Sequence, residues 1–596
     1  MAAALVGISS CDMDTTNPSA MDGAQVYTTP ALAEQAVLAS LEPLTGDGAL
    51  RRITRYGGAN SDSEWENGAD ATKADAKYDA TDYSTSPSNT ELNKTSSGAS
   101  SAYYAQLYKS IERATVAINN LAANMGSNTQ LQYSYGEALT LRAFYYMELI
   151  KYYGDVPMRF EETTSTNAYL PRSSRDDILI RLLEDLKTAE AYVPWPNGSS
   201  ATQSTERVSK SFTKGLRARA ALYACGYALR DNNGTADYSK STREELSEAK
   251  MMQIVKDECL DIINNHPSKL ANLAFIDNFK NLCADVTTAG KESIWEFPYN
   301  DSRGQLLYAY APRHETTSTT ADPNIAVSGA KYGCQVCVLP SFYYTWDKRD
   351  ARRDITCMFY GYADMKPTIT KITNIYFGKL RYDWMKRAIT SQDDGVNVQF
   401  MRLADIYLMA AEAINALDGD PNAAWQYMEP VVARSCSSDL VNELKAKYTA
   451  SKEAFQNGIV EQRGYEFAGE MMRKFDLIRW GIIDEKMEEA KATMKRLQNR
   501  TDEFADLPEK IYYHVNGTTM ELYGLEHGDT DDEGKTKEGW TNTGWIVSSG
   551  NPRITTANIN GIFTVDKPSL HCNWPIPQAV ISADITGSLN NNYLGY

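Results

Sequence analysis

Apolar residues recur at helical spacing between Leu403 and Leu417. The stripe occupies positions i, i+3, i+4, i+7, i+8, i+11 and i+14, the pattern of a helix with one buried face. Gly419 is a typical helix stop, and Asp420 followed by Pro421 is a typical N-cap and first turn of a second helix. The pattern therefore predicts two helices, at 403–417 and about 422–434, joined by a short turn.

A second strong helical pattern runs from about 131 to 153, and Gly154 and Pro157 end it. Weaker patterns predict further helices at about 30–42, 102–124, 175–192, 211–229, 247–264 and 452–479. The stretch 292–297 alternates like a strand, and we expect its Trp295 to be packed in the core.

Small residues and tyrosines stand at the contact positions of these helices, which favours repeated helix pairs. No exact 34-residue period is present, so the repeats are degenerate. We predict a mainly α fold: a tetratricopeptide-like helical-repeat scaffold, or α-α superhelix, with long irregular loops and a few short strands. The polar stretches 44–100, 194–210, 300–335 and 505–570 are expected to be loops that carry several aromatic residues.

The composition narrows the function class. The 596 residues are 42% hydrophobic and 23% charged, which is enough apolar material for a folded core. A formal charge of −17 excludes a general nucleic-acid binder, because phosphate contacts need clustered basic groups. No run reaches the roughly 18 apolar residues of a membrane-spanning helix. Tyrosines outnumber phenylalanines, 37 to 15, so many aromatic rings carry a polar hydroxyl. Such rings suit helix contacts at the protein surface, where one part of the ring is packed and the hydroxyl meets solvent, or a binding surface.

The cysteines raise two separate questions. Residues 1–10 are a short apolar run that ends at Cys11, so we interpret 1–11 as the remnant of a signal peptide with a lipid-bearing cysteine, and a free thiol is the alternative. Cys334 and Cys337 form a single CxxC without a second pair at zinc-like spacing. This is weak evidence for metal or redox chemistry, and we interpret the two residues as a structural pair.

Four segments together resemble the SusD/RagB family, the cell-surface glycan-binding lipoproteins of Bacteroidetes. They are the helix from Leu141 that ends in YGDVP at Pro157, the stretch RLADIYLMAAEA at 402–413, the stretch 461–481 with its FDLIRWG ending, and PIP at 575–577 with the terminal NYLGY. The last motif lacks the family's usual proline, since Tyr593 and Leu594 stand there.

The resemblance implies a binding protein that captures oligo- or polysaccharide and delivers it to a TonB-dependent, SusC-like outer-membrane transporter. It implies attachment to the outer membrane at the cell surface through lipid on Cys11 alone, and no catalytic centre. It also implies one SusD-like domain over 12–596. The helical scaffold would cover about 30–265 and 400–480, and the ligand-binding and capping regions about 44–100, 290–400 and 500–570.

Charged residues recur at three- and four-residue spacing in the third segment, from Glu461 to Arg479. We interpret them as ion pairs along one helix face. A general acid/base pair is the alternative, but interleaved arginines would lower rather than raise the carboxyl pKa values. The five histidines form no HExxH, and the chain has no GxSxG and no glycine-rich phosphate loop.

The acidic stretch 529–534 begins like a calcium loop, but Trp540 stands at its twelfth position. We interpret the stretch as a solvated acidic turn. No cofactor is expected. The resemblance implies that a structural calcium ion is possible, but no residues of this sequence are assigned as its ligands.

Sugars are held by aromatic rings on their faces and by polar groups at their edges. The loop 55–65 offers Trp65 with Arg55, Asn60 and Asp62, and we expect a Trp65→Ala change to weaken glycan binding by more than about 1 kcal/mol. Further candidates lie in two later loops: Tyr308, Tyr310, Tyr343, Tyr344 and Trp346. The alternative to ligand contact, for each of these aromatic residues, is that the half-buried ring packs against the protein and anchors its own loop. At the level of function, the alternatives are a peptide-capturing RagB-like protein and a glycoside hydrolase with an unrecognised carboxylate pair.

Overall fold

A computed structural model describes residues 23–46, 55–93 and 103–596. Most of its regular structure is helical. The helices are α1 Gly23–Thr28, α2 Pro30–Leu38, α3 Ala76–Asp79, α4 Tyr103–Asn124, α5 Thr129–Tyr153, α6 Arg175–Ala189, α7 Lys210–Cys225, α8 Glu248–Asn265, α9 Phe275–Cys283, α10 Leu306–Tyr310, α11 Pro340–Tyr343, α12 Ala351–Thr356, α13 Leu403–Asp418, α14 Pro421–Ala433, α15 Ser438–Tyr448, α16 Lys452–Phe467, α17 Arg473–Trp480, α18 Ile483–Asn499, α19 Asp531–Lys535, α20 Thr556–Asn560 and α21 Gln578–Ala583.

Successive helices pack side by side. The order of contact is α4, α5, α6, α7, α8, α13 and α14, and α16 packs on α13. Helix α5 contacts α2, α4, α6 and α7. Most of its side chains are buried, because small residues such as Ala138 and Ala143 let these neighbours approach. The predicted mainly α, tetratricopeptide-like scaffold is confirmed.

The best-predicted helices have the ends that the sequence signals. The Asn128 side chain accepts hydrogen bonds from the first turn of α5, and Gly154 follows its last residue with φ 67°. Helix α13 ends at Gly419, which has the left-handed φ of 62°. Asp420 then caps α14 by accepting from the backbone N–H groups of Asn422 and Ala423. The αα-hairpin 403–434 is confirmed.

The strands are short and belong to small separate sheets. They are β1 Glu64–Glu66, β2 Ala228–Asn232, β3 Thr235–Ser239, β4 Ser293–Phe297, β5 His314–Glu315, β6 Lys331–Tyr332, β7 Val336–Val338, β8 Cys357–Met358, β9 Tyr360–Ala363, β10 Lys366–Ile369, β11 Tyr376–Phe377, β12 Val398–Arg402, β13 Lys510–Asn516, β14 Thr519–Tyr523, β15 Thr541–Gly544, β16 Val547–Ser548 and β17 Asn551–Pro552.

Antiparallel pairs dominate these sheets. Strand β1 pairs with β7, β2 with β3, β4 with β12, β8 with β11 and β16 with β17. A three-stranded sheet has the order β14–β13–β15, and a four-stranded one has the order β10–β9–β5–β6 with β5 parallel to β9. The predicted strand at 292–297 is confirmed as β4, and Trp295 within it is fully buried.

Three predictions of local structure were wrong. The expected single helix 452–479 is two helices, because Gly469 and Met471 adopt positive φ between α16 and α17. The expected helix 211–229 ends at Cys225, and β2 begins three residues later. The stretches 44–100, 300–335 and 505–570 were expected to be loops, but they contain short elements: β1 and α3 in the first, α10, β5 and β6 in the second, and the sheet β14–β13–β15 in the third.

Candidate ligand-binding groove

An open groove of about 540 Å³ lies between α11, α16 and α18. Its volume is within the range of small-ligand sites in proteins. Phe342 comes from α11, Asn457 and Tyr465 from α16, and Lys486 and Glu489 from α18. Asp62, a residue that the sequence predicts for ligand binding, also lines this groove.

Asp62 and Arg473 form a paired floor. The Arg473 guanidinium donates from Nε and Nη2 to the two carboxylate oxygens of Asp62, at 2.7 and 2.6 Å. Arg473 also donates from Nη1 to the Val460 carbonyl oxygen at 2.6 Å. Burial opposes the charge on Arg473, but Asp62 outweighs burial and the pKa of Arg473 is raised. Such a two-pronged pair fixes both side chains and leaves the outer lone pairs of the carboxylate as acceptors.

An aromatic wall stands beside this floor. The Tyr465 ring stacks on the Trp346 ring, with centroids 4.9 Å apart and planes at 25°, and Phe342 packs against both rings. The Tyr465 hydroxyl donates to the Thr345 carbonyl oxygen at 2.7 Å. The wall is therefore rigid. Phe342 and Tyr465 line the groove and are mostly buried.

The rim of the groove is polar and accessible. Asn457, Glu485 and Glu489 are exposed, and Lys486 is half-buried. Lys486 pairs with Glu489 at 2.7 Å on the surface of α18. The groove can thus offer amide, ammonium and carboxylate groups to a ligand that carries many hydroxyls.

Two other predicted residues, Arg55 and Tyr308, lie together outside the groove. Arg55 donates from Nε and Nη2 to one carboxylate oxygen of Glu66, at 3.2 and 2.6 Å. Burial opposes the charge of Arg55, but its pKa is raised by Glu66, with Tyr56 and the neighbouring Tyr308 contributing. Tyr308 is half-buried against Tyr332.

Asn60, Trp65 and Tyr310 are buried, which argues against the direct ligand contact expected from the sequence. Asn60 is 1% exposed, and its side chain donates to the carbonyl oxygens of Gly561 and Ile562. Trp65 is 1% exposed because it is the central residue of β1, opposite Cys337 of β7. Tyr310 is fully buried against Phe377. In this conformation neither ring offers a face to a ligand.

The third group of predicted residues anchors the C-terminal part of the chain. The Tyr343 hydroxyl donates to Glu526 at 3.0 Å, and the Tyr344 ring packs edge-on against Phe504. Trp346 is 6% exposed and supports Tyr465 from behind the groove. The loop-anchor alternative fits the positions of all three side chains.

Most charged residues of the segment 461–481 are buried and pair with residues of other elements. The expected pairing along one helix face holds within this segment for Asp476 and Arg479 of α17, at 2.8 Å, and was wrong for the others. Glu466 contacts three arginines of other elements, Arg352, Arg402 and Arg434, at 2.9, 2.7 and 2.5 Å. Burial would raise the pKa of Glu466, but the three arginines outweigh burial and hold it well below its usual range. A carboxylate held in the ionised form cannot serve as a general acid near neutral pH.

The same arrangement recurs nearby. Arg463 bridges Asp405 of α13 and Asp476 of α17, each at 2.7 Å. Arg479 donates from both terminal nitrogens to Glu412, at 2.6 and 2.8 Å. The arginines depress the pKa values of Asp405 and Asp476 despite burial. These contacts join α13, α16 and α17, so their role is structural.

The acidic turn and the CxxC show no metal site. Asp529 accepts backbone hydrogen bonds from Gly524 and Glu526, and Asp532 pairs with Lys535 on the surface of α19. Within 23–46, 55–93 and 103–596, no three His, Cys, Asp or Glu residues are arranged to hold a metal ion. Across the same residues, no helix has the length and apolar character needed to span a bilayer.

The sequence analysis missed most of the groove. Tyr465 and Arg473 lie in a segment that was interpreted as purely structural. Asn457, Lys486 and Glu489 belong to no motif and are ordinary polar residues of helix surfaces. Their common position arises because the chain turns after α16, at Gly469 and Met471, and turns again at Gly481 between α17 and α18. The available signals were two glycines, Gly469 inside an otherwise helical pattern and Gly481 shortly before α18.

Comparison with known families assigns the chain. The model of the SusD family matches residues 291–596, more than half of the protein. The chain belongs to the SusD family. A second model, described as starch-binding associating with outer membrane, matches residues 37–222 of this SusD-family protein.

Individual relatives agree in fold. SusD-like protein P25 of Formosa agariphila is 25% identical and aligns over 73% of this chain and 81% of its own length, and SusD-like protein P2 of the same organism is 24% identical over 65% and 73%. A SusD homolog of Bacteroides thetaiotaomicron superposes with a TM-score of 0.65 at 18% identity, covering 81% of this chain and 92% of its own. Surface glycan-binding protein A of that organism, solved with laminarihexaose, superposes with a TM-score of 0.58 at 17% identity. The match covers 94% of this chain and 99% of that protein.

Proposed function

We propose that this SusD-family protein binds a glycan in the groove between α11, α16 and α18 and makes or breaks no bond in it. The observation that carries the proposal is the groove itself, a concave surface with a rigid aromatic wall and a paired Asp62–Arg473 floor. The family and the neighbour solved with laminarihexaose support the ligand class.

The charges of the groove favour a neutral glycan. Asp62, Glu461, Glu485 and Glu489 supply four carboxylates, against Arg473 and Lys486 as bases. Carboxylates accept hydrogen bonds from sugar hydroxyls and repel uronate or sulfate groups. The expected ligand is therefore a neutral oligosaccharide whose hydroxyls bind the polar groups of the rim.

The same proposal places the protein on the cell surface. The match to a family described as associating with the outer membrane supports this location. Lipid on Cys11 would attach the chain; this residue lies outside the described ranges. Delivery to a SusC-like TonB-dependent transporter follows from the family resemblance and completes the proposed role in nutrient uptake.

Calorimetry with laminarihexaose and maltohexaose tests the proposal, after affinity electrophoresis against a panel of neutral and anionic polysaccharides. The Asn457→Ala and Lys486→Ala changes remove an exposed and a half-buried rim group from helix surfaces, so the fold should persist. Loss of one hydrogen bond to a charged group costs about 1.5–3 kcal/mol, so Lys486→Ala should weaken binding about tenfold or more.

Lys535→Ala is the matched control, because Lys535 also pairs with an acid three residues away on an exposed helix, at 2.9 Å. Its affinity should equal that of the unaltered protein. If no polysaccharide of the panel retards the protein in affinity electrophoresis, glycan binding is contradicted. Binding that both rim variants leave unchanged would contradict the groove as its site. Glycans shortened after prolonged incubation would favour the hydrolase alternative.

A further inference from the structure

Cys334 and Cys337 place their sulfur atoms side by side in the interior. Their Sγ atoms are 2.8 Å apart, and the residues are 1% and 0% exposed. Cys337 is the central residue of β7 and pairs with Trp65 of β1. The separation is about 0.8 Å longer than a disulfide bond, so only a small movement separates the two thiols from a covalent link.

The backbone is bent to produce this contact. Gly333 and Cys334 both have positive φ, 96° and 56°, and the second is an uncommon conformation for a residue with a side chain. Hydrogen bonds fix the turn: Cys334 N–H donates to Ala311 O at 2.9 Å, and Asn67 Nδ2 donates to Cys334 O at 2.7 Å. The two hydrogen bonds hold the turn in the conformation that brings the two sulfur atoms together.

We propose that Cys334 and Cys337 form an intramolecular disulfide that locks the turn before β7 against β1. The oxidant is a small-molecule disulfide such as glutathione disulfide. A thiolate of the pair attacks it and releases one glutathione. The other cysteine, on losing its proton, displaces the second glutathione and closes the S–S bond. Two thiols are oxidised, one external disulfide is reduced to two thiols, and the protons lost by the cysteines are taken up by the released thiolates.

The burial of the pair determines when this reaction occurs. Burial and the neighbouring Cys334 raise the pKa of Cys337, so little thiolate exists in the folded interior. The bond forms while the turn is open, during folding or local opening, and the closed protein then shields it from reductant. A structural lock of the turn fits this position better than a redox catalyst, which needs an accessible thiolate.

Peptide mapping tests the proposal directly. The full chain is unfolded in urea, refolded in glutathione buffers from fully reduced to strongly oxidised, denatured again, alkylated without reductant and digested with trypsin. Both cysteines lie in one tryptic peptide, residues 332–348, between Lys331 and Lys348. In oxidising buffers this peptide should be unalkylated and lighter than its reduced form by two hydrogen atoms.

Two single variants provide the controls. Cys334→Ser should leave no internal disulfide in the peptide, so Cys337 appears alkylated or joined to glutathione. Cys259→Ser removes another buried cysteine and should leave the disulfide intact. A doubly alkylated peptide 332–348 in every buffer, including after refolding under oxidising conditions, would overturn the proposal.

Discussion

Asp62 and Arg473 are 411 residues apart in the chain and form a two-pronged ion pair, with N–O distances of 2.7 and 2.6 Å. The pair joins the loop before β1 to the first residue of α17. The two side chains are 14% and 6% exposed, so most of the pair is shielded from water. One contact thus ties the N-terminal loop to the helical scaffold and forms the floor of the proposed groove.

Asp62→Ala should destabilise the protein by about 3 kcal/mol, because breaking a buried pair leaves an uncompensated charge on Arg473. Urea unfolding followed by circular dichroism measures the change. Asp532→Ala is the control, since Asp532 is exposed and pairs with the exposed Lys535 at 2.9 Å, and such surface pairs contribute about 0–1 kcal/mol. Equal losses for the two variants would show that the Asp62–Arg473 pair has no special weight.

Trp65→Ala should act on stability rather than on affinity. The ring is 1% exposed, and removal of a buried tryptophan costs about 3–5 kcal/mol. The free energy of unfolding should fall by that amount, while laminarihexaose or maltohexaose binds the folded variant with unchanged affinity in calorimetry. An affinity loss above about 1 kcal/mol with intact folding would restore Trp65 as a ligand contact, as the sequence suggested.

The helices were predictable because an apolar stripe and its caps are local properties, as α13 and its stop at Gly419 illustrate. The burial of the charged residues was not. Arg463 pairs with Asp405, which is 58 residues away in the sequence, and Arg479 pairs with Glu412, which is 67 residues away. Spacing within one helix therefore could not reveal either partner. The groove was unpredictable for the same reason, since Asn457 and Lys486 lie on different helices, α16 and α18, and line one groove only in the folded chain.

Gly469→Ala tests the helix break that the sequence analysis missed. Gly469 has φ 79°, and an added Cβ would lie 2.7 Å from a ring carbon of Phe377. The left-handed backbone costs a non-glycine residue about 1–2 kcal/mol, and overpacking adds about 1–3. Gly419→Ala is the control, because φ is similar there, 62°, and nothing lies within 4 Å. The Gly469→Ala variant should therefore lose more unfolding free energy than Gly419→Ala, by the cost of overpacking against Phe377. Equal losses of unfolding free energy in the two variants would contradict the close contact.

Glu64→Gln should change how stability depends on pH. Glu64 is fully buried, neither carboxylate oxygen has a hydrogen-bond partner in the described structure, and burial raises its pKa to about 8 despite Lys379 and Lys474 nearby. Because the unfolded value is about 4.3, the contribution of Glu64 to stability is fully present below pH 4.3 and is lost as pH rises through 8. Burial lowers the pKa of Lys474 to about 8, so its own titration lies at the upper end of this window.

The glutamine variant cannot ionise at this position. Its stability relative to the unaltered protein should therefore rise between pH 5 and pH 8, by on the order of a few kcal/mol. Urea unfolding at intervals of pH measures the difference. Glu538→Gln, at an exposed position, should give a curve parallel to that of the unaltered protein. A constant difference between Glu64→Gln and the unaltered protein across this range would mean that Glu64 is already ionised in the folded state at pH 5, with a partner that stabilises its charge.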